Sequence, residues 1–198
     1  MKSVAIKGEL RAAIGKKDAK ALRAEEKVPC VLYGGETPVH FQADFAEFRK
    51  IVYTPNVYLV DLEISGKTYK AIMQDIQWHP VNEQILHVDF LQISDDKAVK
   101  IDVPVKVEGY AKGMRAGGKL KLNLRRLRVK ALPANIPDSI KVNIDHLELG
   151  QAIKVGQIEA GDLEILNSKS NPVVTIMITR AARAAMNASA AATPAKKK

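Results

Sequence analysis

The chain has 198 residues, 46% of them hydrophobic, one cysteine and a formal net charge of +9. That length can bury one larger core or two modest ones, and no apolar run approaches the roughly 20 residues that a bilayer span needs. The lone Cys30 leaves no intrachain disulfide and fits a reducing interior, while the opening Met1–Lys7 lacks the apolar centre of a signal peptide, so a cytoplasmic location is expected.

The charge is unevenly placed. Residues 1–93 carry 12 Lys+Arg and 12 Asp+Glu, whereas residues 94–198 carry 19 and 10. Within the neutral half, residues 1–27 hold eight basic side chains against four acidic ones, and residues 112–130 hold eight with no acid. Such concentrations suit a polyanion through phosphate neutralisation and counterion release, and they equally describe two solvated basic faces.

In chain order, residues 3–10 read as a strand, followed by Arg11 and a Gly15-Lys16-Lys17 loop. Asp18 is placed to cap a helix from Ala19 to Lys27, with Leu22 on its buried side. Pro29 should end that element, and Val31-Leu32-Tyr33 enters a strand stopped by Gly34-Gly35. Cys30 reads as a small buried residue rather than a nucleophile. Tyr33, beside a Gly pair, suits either base stacking or core packing. Val39–Gln42 is a short strand. Asp44 and Glu47 resemble a capping box, opening an amphipathic helix over residues 44–53 with Phe45, Phe48, Ile51 and Val52 on one face. Tyr58–Ile64, the turn Ser65-Gly66 and Thr68–Met73 form a hairpin.

Gln74 to His79 and His87 to Phe90 are two further strand-like runs joined by Pro80-Val81-Asn82-Glu83. Period two puts His87 and Asp89 on one face, and Gln74 on a neighbouring strand would complete a small polar cluster. The first 93 residues are therefore expected to form a small β-barrel with two short helices. The polar joint Ser94–Lys97 marks a domain boundary.

The second half reads as all-β over residues 94–180. Val99–Val107 alternates cleanly, and Pro104 argues for an edge strand. Gly109–Gly118 is a glycine-rich basic loop without a following helix. Leu120, Leu122 and Leu124 alternate until the frame slips at Arg125-Arg126, where a bulge is expected. Pro133–Pro137 turns the chain, and Ile140–Ile144, Ile153–Val155 and Val173–Ile178 supply further strands. Residues 181–198, rich in Ala and Lys, read as a disordered tail.

His79, His87 and Asp89 are candidate metal ligands, and a metal-dependent hydrolase is the enzyme reading they would support. No acidic general base, His-Glu-x-x-His or Cys pair stands at a known spacing to accompany them. The order Arg11, Gly15-Lys16, Leu22-Arg23, Lys27-Val28-Pro29, Tyr33-Gly34-Gly35, Gln74-Asp75-Ile76-Gln77, His79-Pro80 and His87-Val88-Asp89-Phe90 resembles another class altogether. It is similar to the bacterial large-subunit ribosomal protein family number twenty-five. Gly109–Gly118, Leu132–Pro137 and Leu147–Gly150 resemble the added β domain of that family's longer, general-stress (CTC) form, so the likeness spans about residues 3–179.

The resemblance implies a non-enzymatic ribosomal protein whose N-terminal barrel docks on the loop E region of 5S ribosomal RNA. Carried onto this sequence, its RNA contacts are Arg11, Lys16, Lys20, Arg23, Tyr33, Gln74, His87 and Asp89. In this reading Asp89 accepts from a 2′-hydroxyl or base amine and orients His87 as a donor. Neighbouring ribosomal RNA or protein is expected against residues 112–130, with no cofactor, membrane or small-molecule substrate. The chain departs from the family at Lys17-Asp18-Ala19-Lys20-Ala21, where small residues and an Arg pair are usual, and at Trp78. A general stress-binding role away from the ribosome is the remaining alternative.

Overall fold

The computed structural model describes residues 2–94, 96–159, 161 and 163–184. It divides into two units, Met1–Ile101 with Lys130–Asp138, and Asp102–Val129 with the chain from Ser139. The architecture is mainly β, as the sequence predicts.

The first unit is a closed six-stranded barrel. Its strands are β1 (Lys2–Leu10), β2 (Lys27–Tyr33), β3 (Val39–Asp44), β4 (Tyr58–Ile64), β5 (Lys67–Trp78) and β6 (Ile85–Gln92), in the order β1-β3-β2-β6-β5-β4. Two ladders are parallel, β1 with β4 and β2 with β6, and the others are antiparallel. Closure leaves no open edge to pair with another chain. Alternate residues of each strand point inward, so Ile6, Cys30, Leu32, Phe41, Val60, Leu62, Val88 and Phe90 are all at most 1% exposed.

Two helices belong to this unit. α1 (Lys16–Ala24) buries Leu22, and α2 (Phe45–Val52) buries Phe48 and Ile51 in the barrel core. The Phe90 ring lies 5.8 Å from that of Phe41 and 6.3 Å from that of Phe48. The start of α1 differs from expectation, while α2 has Asp44 as its N-cap as expected but without the side-chain capping bond. Gly15 is the N-cap of α1, which places Asp18 inside the first turn. Pro29 does not end a helix. It lies buried within β2, whose parallel ladder with β6 begins only at Cys30, so the missing N–H costs that ladder nothing.

The remaining strands form two sheets, most of whose residues belong to the second unit. Strands β7 (Val99–Glu108), β9 (Arg126–Ala131), β10 (Ile140–Asn143) and β12 (Glu164–Ile165) run in the order β10-β7-β9-β12. Strands β8 (Lys119–Leu122), β11 (Ala152–Lys154) and β13 (Pro172–Met177) run in the order β11-β13-β8. Three sequence expectations change here. Pro104 sits in an interior strand; it is tolerated because parallel pairing with β10 starts at Val105. The slip at Arg125-Arg126 is no bulge but a crossing, because β8 and β9 belong to different sheets. A single helical turn, α3 (Lys112–Arg115), lies inside the glycine-rich loop. Of the predicted tail, residues 181–184 continue a helical turn from Arg180, with Ala182 buried; residues 185–198 lie outside the described residues.

The Tyr-Gly-Gly sequence has a steric cause. Gly34 has φ +99°, and a Cβ there would stand 2.9 Å from Leu91 Cδ1 and 3.2 Å from the Gln92 carbonyl oxygen. At Gly35 the obstacle is only the end of the Gln92 side chain, which can swing away. Gly34→Ala should therefore destabilise the barrel by about 1–3 kcal/mol through backbone strain, and Gly35→Ala by clearly less. Equal urea midpoints for the two variants would contradict this account.

Candidate nucleic-acid interface

The outer face of β2, β6 and β5 carries the polar residues that the sequence singled out. In the parallel ladder Val31 lies beside Asp89 and Tyr33 beside Leu91. Across the antiparallel ladder His87 faces Gln77 and Asp89 faces Asp75. A register shift between Met73 and Asp75 leaves Gln74 as the extra residue of a bulge, exposed and not directly opposite either partner. Asp75 and Gln77 thus occupy the places expected of Gln74, and the sequence reading missed both. Counting equal steps outward from the 80–83 turn pairs Gln77 with Leu86 and Gln74 with Asp89. The register shift between Gln77 and Trp78, which passes over Leu86, is what brings His87 opposite Gln77 and Asp89 opposite Asp75, and nothing local in the sequence announces it.

His87 Nδ1 lies 2.6 Å from Asp89 Oδ1, and both side chains are about one-third exposed or less. The ionised carboxylate can only accept, so Nδ1 carries the hydrogen. That fixes the outward Nε2 as an acceptor in neutral imidazole and as a donor in imidazolium. The expectation that Asp89 makes His87 a donor therefore holds only for the protonated ring. Asp75 is occupied in part by its own strand, accepting the Ile76 N–H at 2.9 Å. Burial holds the Tyr33 phenol above its usual pKa, and the charges of Asp89 and Asp75 push it the same way. It therefore remains a neutral O–H group within electrical reach of both carboxylates.

Helix α1 stands beside this strip. Arg23 Nε donates to the Leu86 carbonyl at 3.0 Å, tying the helix to β6. Lys16, Lys17 and Lys20 are exposed. Arg11 is different: its side chain is 6% exposed, its Nη2 pairs with Asp18 Oδ2 at 2.6 Å, and its Nε is buried without a hydrogen-bond partner. Arg11 is thus a buried clamp between the loop and the first turn of α1 rather than an open guanidinium. Asp18, an acid on a basic helix, is spent on that clamp.

The other candidates resolve simply. His79 Nδ1 accepts the backbone N–H groups of Val81 at 3.3 Å and Asn82 at 3.1 Å, so it organises the turn between β5 and β6. Among the described residues no three His, Cys, Asp or Glu side chains converge as a metal would require, and the hydrolase reading loses its ligand set. Trp78 meets Tyr53 edge-on at 6.4 Å. Burial, followed by the field of Asp89, drives the Cys30 thiol far above its usual pKa, which leaves it chemically inert. No helix among the described residues is long and apolar enough to cross a membrane.

Comparison with known proteins covers both units. Residues 6–90 match the Ribosomal L25p family, and residues 98–180 match the Ribosomal protein TL5, C-terminal domain. The chain is 46% identical over 188 residues to a "Large ribosomal subunit protein bL25" of Azobacteroides pseudotrichonymphae, covering 94% of this chain and 100% of that one. It is 48% identical to proteins of the same name from Bacteroides fragilis over 191 residues and from Cytophaga hutchinsonii over 180 residues. Those alignments cover 93% and 91% of this chain, and 97% and 94% of the relatives.

The clamp makes a testable demand on stability. Asp18→Ala should strand a buried guanidinium. Because Asp18 itself is 34% exposed, the loss should be about 1–3 kcal/mol, below the roughly 3–5 of a fully buried pair. Replacing Arg11 by Met in the same protein should recover most of it in urea titrations. An Asp18→Ala protein as stable as the parent would show that the pair carries no such role.

Proposed function

The chain belongs to the ribosomal L25p family of large-subunit proteins, in the long form with a TL5-type C-terminal domain, and from that premise we propose that its barrel binds 5S ribosomal RNA at the loop E region. It is a structural, non-enzymatic protein, and we assign the binding to residues 1–93. The observation that carries the proposal is one surface on which the His87–Asp89 pair, Tyr33 and the exposed lysines of α1 stand together.

The division of labour follows from chemistry. Lys16, Lys17 and Lys20 supply positive charge for phosphates and set position along the backbone. A wide, shallow A-form minor groove offers 2′-hydroxyls and base edges to short polar groups on a sheet. Asp89 and Asp75 accept from 2′-hydroxyls or base amines, Gln74 and Gln77 both donate and accept, and Tyr33 offers its O–H or its ring. Arg23, with Nε committed to Leu86, keeps its terminal nitrogens for the RNA while holding the helix in place. Arg11 acts indirectly, by orienting α1.

Titration of 5S RNA by the full chain in gel shifts distinguishes these roles. Asp89→Ala should weaken binding by about 1–3 kcal/mol while leaving the salt dependence unchanged. Lys20→Ala should weaken it and lower the slope of log K against log salt by about 0.7–0.9, as expected for one lost phosphate contact. Arg11→Ala should lower affinity at unchanged slope. A parent protein that enters large subunits but shows no affinity for 5S RNA would refute the assignment, and unchanged affinity for all three variants would refute the contact set.

A further inference from the structure

The basic run 112–130 is not one patch in the folded protein. Lys112 and Arg115 lie on α3, where the Arg115 guanidinium stands 5.9 Å from the centre of the Tyr110 ring. Arg128 pairs with Asp102 at 3.0 Å, and Lys130 has a partner of its own. Lys119 and Lys121 have a different setting. Both are exposed on β8, where they face Met177 and Thr175 of β13. On the far side of β13, Thr175 is opposite Ala152 of β11, and the exposed Lys154 ends that strand.

The other side of this sheet is its core side, with Ile153, Val174 and Ile176 buried and Leu120 and Leu122 half-buried. The outer side therefore presents Lys119, Lys121 and Lys154 around Thr175, Ala152 and Met177. None of the three strands contains an Asp or Glu. Among the described residues none of these three lysines enters an ion pair, whereas Arg128 and Lys141 of the same unit are paired with Asp102 and Glu108. The three charges are thus left without local neutralisation on a face whose middle is short side chains.

From this arrangement we infer that the outer face of the β11-β13-β8 sheet is a second RNA-binding surface, which holds the sugar-phosphate backbone of a ribosomal RNA helix. The inference rests on membership of the large subunit and not on the 5S RNA assignment. A protein partner is the poorer fit, because the buried centres of protein interfaces are depleted in charge and rich in aromatics; here the only exposed large apolar side chain is Met177. Lysines on edge strands also guard against strand pairing. That role explains Lys119 and Lys121 singly, but not a third lysine across strands free of carboxylates. Flexible ammonium groups two strands apart, with low ground between them, match a row of phosphates that needs no base-specific reading.

The test uses the full chain and large subunits stripped of this protein. The triple variant Lys119→Glu, Lys121→Glu, Lys154→Glu should bind the stripped subunits about tenfold or more weakly at moderate salt, with a log K against log salt slope smaller by about two to three. It should bind isolated 5S RNA as the parent does, so a defect confined to subunits reports on the sheet. In a second arm the lysines stay in place and Met177→Cys carries a thiol-linked photocrosslinker, Cys30 being buried. Crosslinks to ribosomal RNA are expected. Equal affinity and slope for the triple variant, or crosslinks to protein alone, would overturn the inference.

Discussion

The parallel ladder between β2 and β6 is the contact on which the proposed docking face depends. It runs from Cys30 beside Val88 to Tyr33 beside Leu91. Because α1 immediately precedes β2, this pairing delivers the basic helix to the strand that carries His87 and Asp89. Arg23 then fastens the helix to Leu86, one residue before His87. Segments more than 60 residues apart in sequence thereby become one surface. The inward half of the same ladder, Cys30, Leu32, Val88 and Phe90, is core, so the geometry of the face is held by apolar burial and not by polar contacts among its own residues.

Acids on a face proposed to bind a polyanion would ordinarily oppose binding. Here each is committed locally. Asp18 pairs with Arg11, Asp89 with His87, and Asp75 accepts from its own strand. Their fields are partly answered before RNA arrives, while their remaining lone pairs stay available as acceptors. Among the described residues the lysines of α1 have no such partners, and in the proposed reading their charge is left for phosphate. Net charge near zero over residues 1–93 therefore understates how positive the helix side of the face is, because Coulomb interaction at short range weighs arrangement over totals.

Much of this was legible in the sequence. Alternation gave the strands, helical spacing gave α2, and His87 and Asp89 were placed on one face by period two alone. What was not legible depended on partners distant in sequence. Asp18 has the right type and position for a cap, and only the packing of Arg11 against α1 turns it into half of an ion pair. Pro29 and Pro104 look like breakers because a strand's neighbours are unknown until the sheet is assembled. Both are tolerated for one reason, that the parallel partner begins a residue later. The slip at Arg125-Arg126 reads as a bulge in one strand, since nothing local says that β8 and β9 enter different sheets. Gln74 was misplaced by the opposite error, a real bulge that period-two counting cannot see.

If both proposed surfaces bind RNA, the two units meet the same electrostatic requirement in different ways. On the barrel, acids are retained and each is hydrogen-bonded locally, which keeps acceptors that can discriminate between shapes and edges. On the three-stranded sheet of the second unit, acids are absent from the strands altogether, which leaves charge without readout. A surface of the first kind is suited to recognising one RNA feature, and a surface of the second kind to lying against whatever backbone is nearby. If both act together, the barrel sets where the protein sits, and the sheet adds affinity through a contact that becomes intramolecular once the barrel is bound. The gain then depends on reach rather than on sequence, because phosphate contacts carry position and charge but no base identity.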